Sequence, residues 1–471
     1  MADAIREAVE LYGGAVTLAG TGVAVRDPAK LRSPATDRLA WRAVFGSADE
    51  RDAARWLLWE LGQATGARPA SINGLYRARG RGECGGFTVP AINVRTMAYD
   101  TARAVFRAAR AGQAGAIILE IARSEIAYTE QRPAEYMAVV LAAALREGHT
   151  LPLFIQGDHC QVNQKKYQAD PAGEVAEVKK LIAEEIGTGF YNIDVDTSTL
   201  VDLAHATLVE QQRLNYERGA EITQLIRERE PRGVTVSVGA EIGEVGGHNS
   251  TVDELHAFMK GYNAALAGLG RHEGISKISV QTGTSHGGVV LPDGSIADVQ
   301  LDLEALAALS RVARDTYHLA GAVQHGASTL PSNAFGNFPR VETAEIHLAT
   351  NFQNIVFDHP RFPVALRAEV KKWLDENAKG ERKAGDSEEQ FYYKARKKAI
   401  GPFKREFWSL PEDVRAAIAA DLESTFAFLF TQLNVNGTAE LIRRHVQAPL
   451  QHHAALKPAL VAAEDDPDAG E

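Results

Sequence analysis

LPLFIQGDHC (151–160) is the stretch on which the fold turns. Its first half is a short apolar run, the length of one buried strand and too short for a typical helix. Its second half breaks at Gly157 into residues with chemistry, Asp158, His159 and Cys160. Seven further runs share the texture: FTVPAINV (87–94), GAIILEIA (115–122), GFYNIDVD (189–196), GVTVSVGAEIG (233–243), ISKISVQTG (275–283), LAGAVQHG (319–326) and TAEIHLAT (343–350). Amphipathic helical patterns lie between them, such as YDTARAVFRAARAGQ (99–113), AEYMAVVLAAALREG (134–148) and GEVAEVKKLIAEEIG (173–187). Eight buried strands alternating with helices predict an α/β fold of the (β/α)8 TIM-barrel type. A doubly wound open sheet is the competing reading.

Outward from this core the texture is helical. Residues 1–85 read as an N-terminal helical extension, with apolar residues at three- and four-residue spacing in ATDRLAWRAVFG and DERDAARWLLWELGQAT. The Gly-rich RGRGECGG (79–86) marks the passage into a barrel over 86–360. Residues 361–471 read as a C-terminal helical arm and tail. Within it KWLDENAKGERKAGDSEEQ (372–390) predicts a mobile charged loop, VRAAIAADLESTFAFLFTQL (414–433) a strong helix, and AAEDDPDAGE (462–471) a disordered end. Length alone would permit two to four domains; the pattern predicts one barrel with additions at both ends.

The chain carries 51 Lys plus Arg against 61 Asp plus Glu, a formal charge of −10. That balance argues against a nucleic-acid partner but leaves room for a small basic pocket. Two cysteines, Cys84 and Cys160, make no disulfide scaffold and fit a reducing compartment. The start, MADAIREAVELYGG, lacks the basic and apolar regions of a signal peptide. No run approaches the roughly 18 apolar residues of a membrane helix. GAIILEIA is short and carries Glu120. The expectation is a soluble cytoplasmic protein with no membrane partner.

The chemistry gathers where the strands end. Strand three ends in Asp158-His159 and strand five in Glu241. Strand six runs into Thr284-Ser285-His286-Gly287, and strand seven into Gln324-His325-Gly326. In a barrel all these ends point to one face. Three imidazoles and a carboxylate, from His159, Glu241, His286 and His325, suit Zn²⁺ or another divalent first-row metal. One such histidine alone is better explained by a core hydrogen bond; three at separate strand ends favour a metal. Gly287, Gly288 and Gly326 allow close backbone approach and free amides for an anion, or are simple turn glycines. Asp158 is a candidate acid/base or a partner to a metal ligand. It shares a pocket with His159 only if the strand ends there, as Gly157 permits. Lys165 and Lys166 either meet an anionic substrate or belong to a solvated loop. Arg123, Ser124 and Glu125 either line the site or cap the next helix. Cys160 reads as packing.

Taken in order, these motifs resemble the class II, metal-dependent ketose-bisphosphate aldolases, typified by fructose-bisphosphate aldolase. PAINV (90–94), GDHC (157–160), GAEIGEVGG (239–247), GTSHGG (283–288) and HGAST (325–329) carry the resemblance. IDVDTS (193–198), FYYKAR (391–396) and FTQLNV (430–435) extend it. It implies metal ligands at His159, Glu241, His286 and His325, with Asp158 as acid/base. It implies substrate contacts at Asn93, Gly287, Gly326 and Ser328, and at His347 and Thr350 on the last strand. Asp196 matches an Asp near a second cation position. Arg396 matches an Arg that binds an aldehyde's phosphate, often across a dimer interface, so a homodimer or larger homo-oligomer is implied. The implied substrate is a sugar or sugar phosphate.

Several positions depart from the family pattern. Asn249 stands where a loop Glu moves the substrate proton, and an amide is no base. Glu244, His248, Asp253 or Glu254 are the substitutes in reach. The last strand gives His347-Leu348-Ala349-Thr350-Asn351 in place of Asn-x-Asp-Thr-Asp. A phosphate-contacting Ser falls at Ala122. The metal set is intact and the ketose-phosphate half-site is altered. The expectation is aldol cleavage of a ketose other than plain fructose 1,6-bisphosphate. A metal-dependent sugar isomerase or epimerase is the alternative, and a non-catalytic aldolase-like subunit the third reading.

Overall fold

A computed structural model describes residues 2–243, 249–270, 272–283, 291 and 301–453. All eight expected strands form: β1 (Val89–Asn93), β2 (Ile118–Ala122), β3 (Phe154–Gln161), β4 (Asn192–Asp196), β5 (Ser237–Glu241), β6 (Lys277–Val280), β7 (Ala322–Gln324) and β8 (Glu345–Leu348). Each pairs in parallel with the next, and β8 pairs back onto β1, His347 opposite Ala91. The sheet is therefore a closed barrel, and the open doubly wound alternative falls away. Helices ring it, including Ala98–Gly112, Pro133–Glu147 and Pro171–Gly187.

The barrel interior departs from the branched aliphatic layers usual for this fold. Glu120 (β2), Gln156 (β3), Asp194 (β4), Lys277 (β6) and Glu345 (β8) are all buried in it. They form one connected cluster. Lys277 Nζ donates to Asp194 Oδ2 at 3.0 Å, to Gln156 Oε1 at 2.8 Å and to Glu345. Gln156 Nε2 donates to Glu120 Oε2 at 2.7 Å and to Glu345 Oε1 at 3.0 Å. The carboxylates hold the Lys277 ammonium protonated against the cost of burial.

The N-terminal extension closes the floor. Its helix Asn73–Gly80 presents Tyr76, whose hydroxyl donates to Glu345 from below. Arg79, fully buried, donates to the Ala320 carbonyl at 2.9 Å and the Thr343 carbonyl at 3.1 Å, at the entries to β7 and β8. Upstream lie helices Ala2–Glu10, Pro34–Phe45 and Ala48–Thr65, the last opened by a Ser47/Glu50 capping box. A two-stranded hairpin, Val16–Ala19 with Gly22–Val25, also forms, which the mostly helical reading of this region did not include. The chain end returns to the same helices: Trp59 Nε1 donates to the Gln451 carbonyl at 2.6 Å, and His453 stacks on Trp59 at 3.9 Å.

In the C-terminal arm, much of the stretch expected to be a mobile loop is ordered. Helix Val364–Asn377 covers its first part because Leu366, Val370 and Leu374 recur every four residues and are buried on one face. Ser387 and Gln390 cap helix Glu388–Ala395, and the turn Arg396–Ala399 follows. Helix Glu412–Gln432, with Ile418, Leu422 and Phe426 buried, packs on Ala98–Gly112, where Glu423 pairs with Arg107 and Arg415 with Asp100. The segment 462–471 lies outside the described residues. No described helix is long and apolar enough to cross a membrane.

Candidate active site

The carboxyl ends of the strands open into a cavity of about 830 Å³. Asn93, Asp158, His159, His325, Gly326, Ser328, His347 and Thr350 line it. Asp158 and His159 are adjacent in β3, which alternation would send to opposite faces. The strand does not end between them, as the sequence reading required. It continues to Gln161 through a β-bulge between Gly157 and Cys160, with His159 at φ 43°. The bulge re-aims both side chains into the cavity. Gly157 is needed beside it, since a side chain there would run into the buried Glu185 carboxylate.

His159, Glu241 and His325 come together. Each offers one ligand atom, and these atoms lie within 4.8 Å of one another. The rings of His159 and His325 are 4.2 Å apart. His159 Nδ1 lies 3.3 Å from Asp196 Oδ2, which accepts from Gln161 Nε2 at 2.5 Å, while Asp196 Oδ1 accepts from the Ser198 hydroxyl at 2.6 Å. A carboxylate behind an imidazole in this way fixes the ring of a ligating histidine. Burial, with repulsion from Asp196, pushes the Glu241 carboxyl up to about 8. Burial opposes charge on His159, yet Asp158, Asp196 and Glu241 push it up to about 10. These groups crowd carboxylates that call for a cation, and two imidazoles with a carboxylate are the donors a first-row divalent ion prefers. The residues therefore fit a metal. His286 and Gly287 lie outside the described residues.

Asp158 is buried and oriented from two sides. Asn93 Nδ2 donates to its Oδ2 at 2.9 Å, and His347 Nδ1 to its Oδ1 at 3.1 Å. Burial alone would raise this carboxyl, but His159 and His347 hold it well below the usual carboxylate range. His347 also lies 3.0 Å from Glu120 Oε1 and 2.8 Å from Glu345 Oε1, and stacks on His325 at 4.0 Å. It thus joins the cavity to the polar barrel interior.

Glu125 does both things the sequence left open. It caps helix Arg123–Thr129 by accepting from the Ala122 amide at 3.0 Å, and it lines the cavity while pairing with Arg95 and Asn93. Of the lysine pair, Lys166 lines the cavity. Arg396 does not. Its guanidinium donates to Asp358 at 2.6 and 3.0 Å and to Asn354 at 2.6 Å. Asn249 Nδ2 donates to Asp302 Oδ2 at 2.8 Å, and Glu254 caps helix Val252–Leu269 through Thr251. Glu244 and His248 lie outside the described residues. Sequence reasoning passed over the cluster of Glu120, Gln156, Asp194, Lys277 and Glu345. The signal was there in ILEIA, FIQGD, NIDVD, KISV and EIHL, each with a polar residue inside an apolar strand.

A closed parallel barrel with the His159, Glu241 and His325 cluster at its carboxyl face defines a (β/α)8 protein with residues that could hold a divalent metal. The family model for class II fructose-bisphosphate aldolase matches residues 80–404, and the chain belongs to that family. No curated relative matches in sequence. Among solved structures, the chain is similar to a fructuronate-tagaturonate epimerase of Cohnella laeviribosi, at 13% identity and TM-score 0.52, over 91% of this chain and 90% of that one. It is similar to the YdjI aldolase of Escherichia coli K12, at 14% identity and TM-score 0.47, over 79% of this chain and 99% of that one. A putative fructose-1,6-bisphosphate aldolase of Coccidioides immitis matches at 20% identity and TM-score 0.45, over 78% of this chain and 97% of that one.

Proposed function

We propose that this protein is a metal-dependent lyase that reversibly cleaves a ketose between the carbons α and β to its carbonyl. The observation that carries the reading is the Asp158 carboxylate, held charged beside the cluster of His159, Glu241 and His325 in one cavity. A divalent cation held by those three, with His286 as the further expected ligand, supplies Lewis-acid stabilisation of negative charge on substrate oxygens. Asp158 takes the proton from the β-hydroxyl as the carbon–carbon bond breaks. The bonding pair passes to the ketose fragment, which leaves as an enediolate, and the other fragment leaves as an aldehyde. In condensation Asp158 returns the proton. Asn93 and His347 keep its two oxygens in place for both directions.

A second reading, epimerisation, rests on His347. It puts a second proton carrier 3.1 Å from Asp158, where a single cleavage step uses one. The family membership and the likeness to an epimerase are compatible with it.

A screen of metal-loaded protein over phosphorylated, acidic and neutral ketoses, with products resolved by mass, separates the two. Two carbon fragments support the lyase; one isomeric product supports the epimerase and removes the lyase. With the substrate found, Asp158→Ala is expected to lower kcat roughly 100- to 10,000-fold. Unchanged turnover in that variant takes Asp158 out of the mechanism.

A further inference from the structure

The mouth of the cavity carries positive charge that the chemistry at the metal cluster does not use. There the C-terminal arm lies over helix Arg123–Thr129, contributing Trp373, Lys397 and Lys398 to the cavity wall. Five cations line the space, and three have a carboxylate partner. Arg95 pairs with Glu125, Arg123 with Glu174, and Lys398 with Glu381 at 3.3 Å. Among the described residues, neither Lys397 nor Lys166 has a carboxylate within ion-pair distance.

Lys397 is the more telling of the two. Its ammonium lies 5.7 Å from the centre of the Tyr128 ring, and its side chain is half-buried. Burial pushes it below the ordinary lysine range, and the nearby Arg95 pushes it further. A desolvated ammonium beside a guanidinium is costly until an anion joins it. Glu381 and Glu125 offset this only in part, and among the described residues none of the wall carboxylates, Glu130 included, lies within ion-pair distance of Lys397. Glu125 is engaged by Arg95, Asn93 and the Ala122 amide, and Glu381 by Lys398.

The turn Arg396–Ala399 explains why Lys397 rather than Arg396 faces the cavity. Arg396 points back to helix Thr350–Asp358, where Asp358 and Asn354 take its guanidinium and Tyr393 lies under it at 4.8 Å. With Arg396 pinned on that side, the next residue projects into the cavity.

We propose that Lys397 receives the anionic group of the substrate, a phosphate or carboxylate carried by the sugar, within a single chain, and that Arg396 is a positioning residue that fixes the turn. This rests on reading the cavity as a sugar site. It narrows the substrate class to sugar phosphates and sugar acids and disfavours neutral sugars.

The test is isothermal calorimetry on the full-length protein, metal-loaded and again after chelation, so that ligation by the metal is separated from Lys397. The probes are inorganic phosphate, glucuronate and glucose. Wild type is expected to bind at least one anion, and Lys397→Met to weaken it about ten-fold or more, the scale of one charge-assisted hydrogen bond. Lys397→Arg should stay within about three-fold of wild type. A preference for phosphate identifies a sugar phosphate, and one for glucuronate a sugar acid. Asp358→Ala, which frees Arg396, should weaken the same anion several-fold while glucose binding and metal content stay put. No anion binding by wild type, or equal binding by Lys397→Met, overturns the proposal. Unchanged anion affinity in Asp358→Ala removes Arg396 from it. A protein that binds anions through Lys397 but cleaves no ketose overturns the lyase reading alone. One that cleaves neutral ketoses and ignores both anions overturns this proposal alone.

Discussion

Asp158 and His159 face one cavity because one backbone angle, φ 43° at His159, takes a value that non-glycine residues seldom adopt. A left-handed residue of this kind costs roughly 1–2 kcal/mol. The cost is tolerated because β3 is paired on both sides of the bulge, with β2 and with β4. Asp158 and His159 could be named from the sequence as chemically capable, but a bulge leaves no mark in residue type, so their shared orientation could not. Another single residue sets a pH dependence away from the site. His149 is buried against Phe106, its ring 4.8 Å away, and burial pushes it down to about 4. Above pH 6.5 the ring is neutral in both folded and unfolded chains, and its contribution is fully present. As pH falls from 6.5 towards 4 the unfolded chain takes up a proton that the native state refuses. About 3 kcal/mol of stability is then lost across that window. Urea unfolding of wild type and His149→Gln at pH 7, 5.5 and 4.5 checks this. The variant should show the shallower fall with pH, and parallel curves would place the ring in a solvated setting.

At the level of elements, the strands were the most legible part. Their apolar runs are buried on both faces, so composition and length alone mark them. The hairpin Val16–Ala19 with Gly22–Val25 was not legible, because its strands are four residues long and half exposed. The arm was misread for the opposite reason: charge dominates 372–390, and the buried stripe of Leu366, Val370 and Leu374 begins before it. Which of Arg396 and Lys397 enters the cavity depends on a short turn whose Arg396 pairs with Asp358, 38 residues upstream. Helix Asn73–Gly80 carries a prediction of its own. Tyr76→Phe removes the donor that Glu345 receives from below and leaves a buried carboxylate oxygen short of a partner. The expected loss is about 1–3 kcal/mol in urea unfolding. No change would mean that this helix merely covers the floor.

For the molecule as a whole, the polar barrel interior sets this chain apart from an aliphatic barrel core. The Lys277 ammonium sits among Glu120, Asp194 and Glu345, and His347, which also touches all three, connects that cluster to Asp158. Lys277→Met should cost about 3–5 kcal/mol, because it removes the ammonium that the buried Asp194 and Glu345 share. Adding Glu345→Gln should recover part of that loss. A Lys277→Met protein as stable as wild type would show that the carboxylates are protonated and need no cation. The site above this layer was legible where a motif fell at a strand end, as at His159, Glu241 and His325. The layer itself went unread because each member looks like an ordinary polar interruption until the barrel closes and brings five strands together.

The central claim is that His159, Glu241 and His325 hold a divalent ion in front of Asp158. Its most direct test is the metal content of purified protein by mass spectrometry, for wild type, Asp158→Ala and His325→Ala, each first shown to be folded by circular dichroism. The account predicts about one equivalent of a first-row divalent ion in wild type and in Asp158→Ala, and a large loss in His325→Ala. A wild type that stays metal-free after incubation with Zn²⁺, Mn²⁺ or Co²⁺, or a His325→Ala variant that binds as much as wild type, would contradict it.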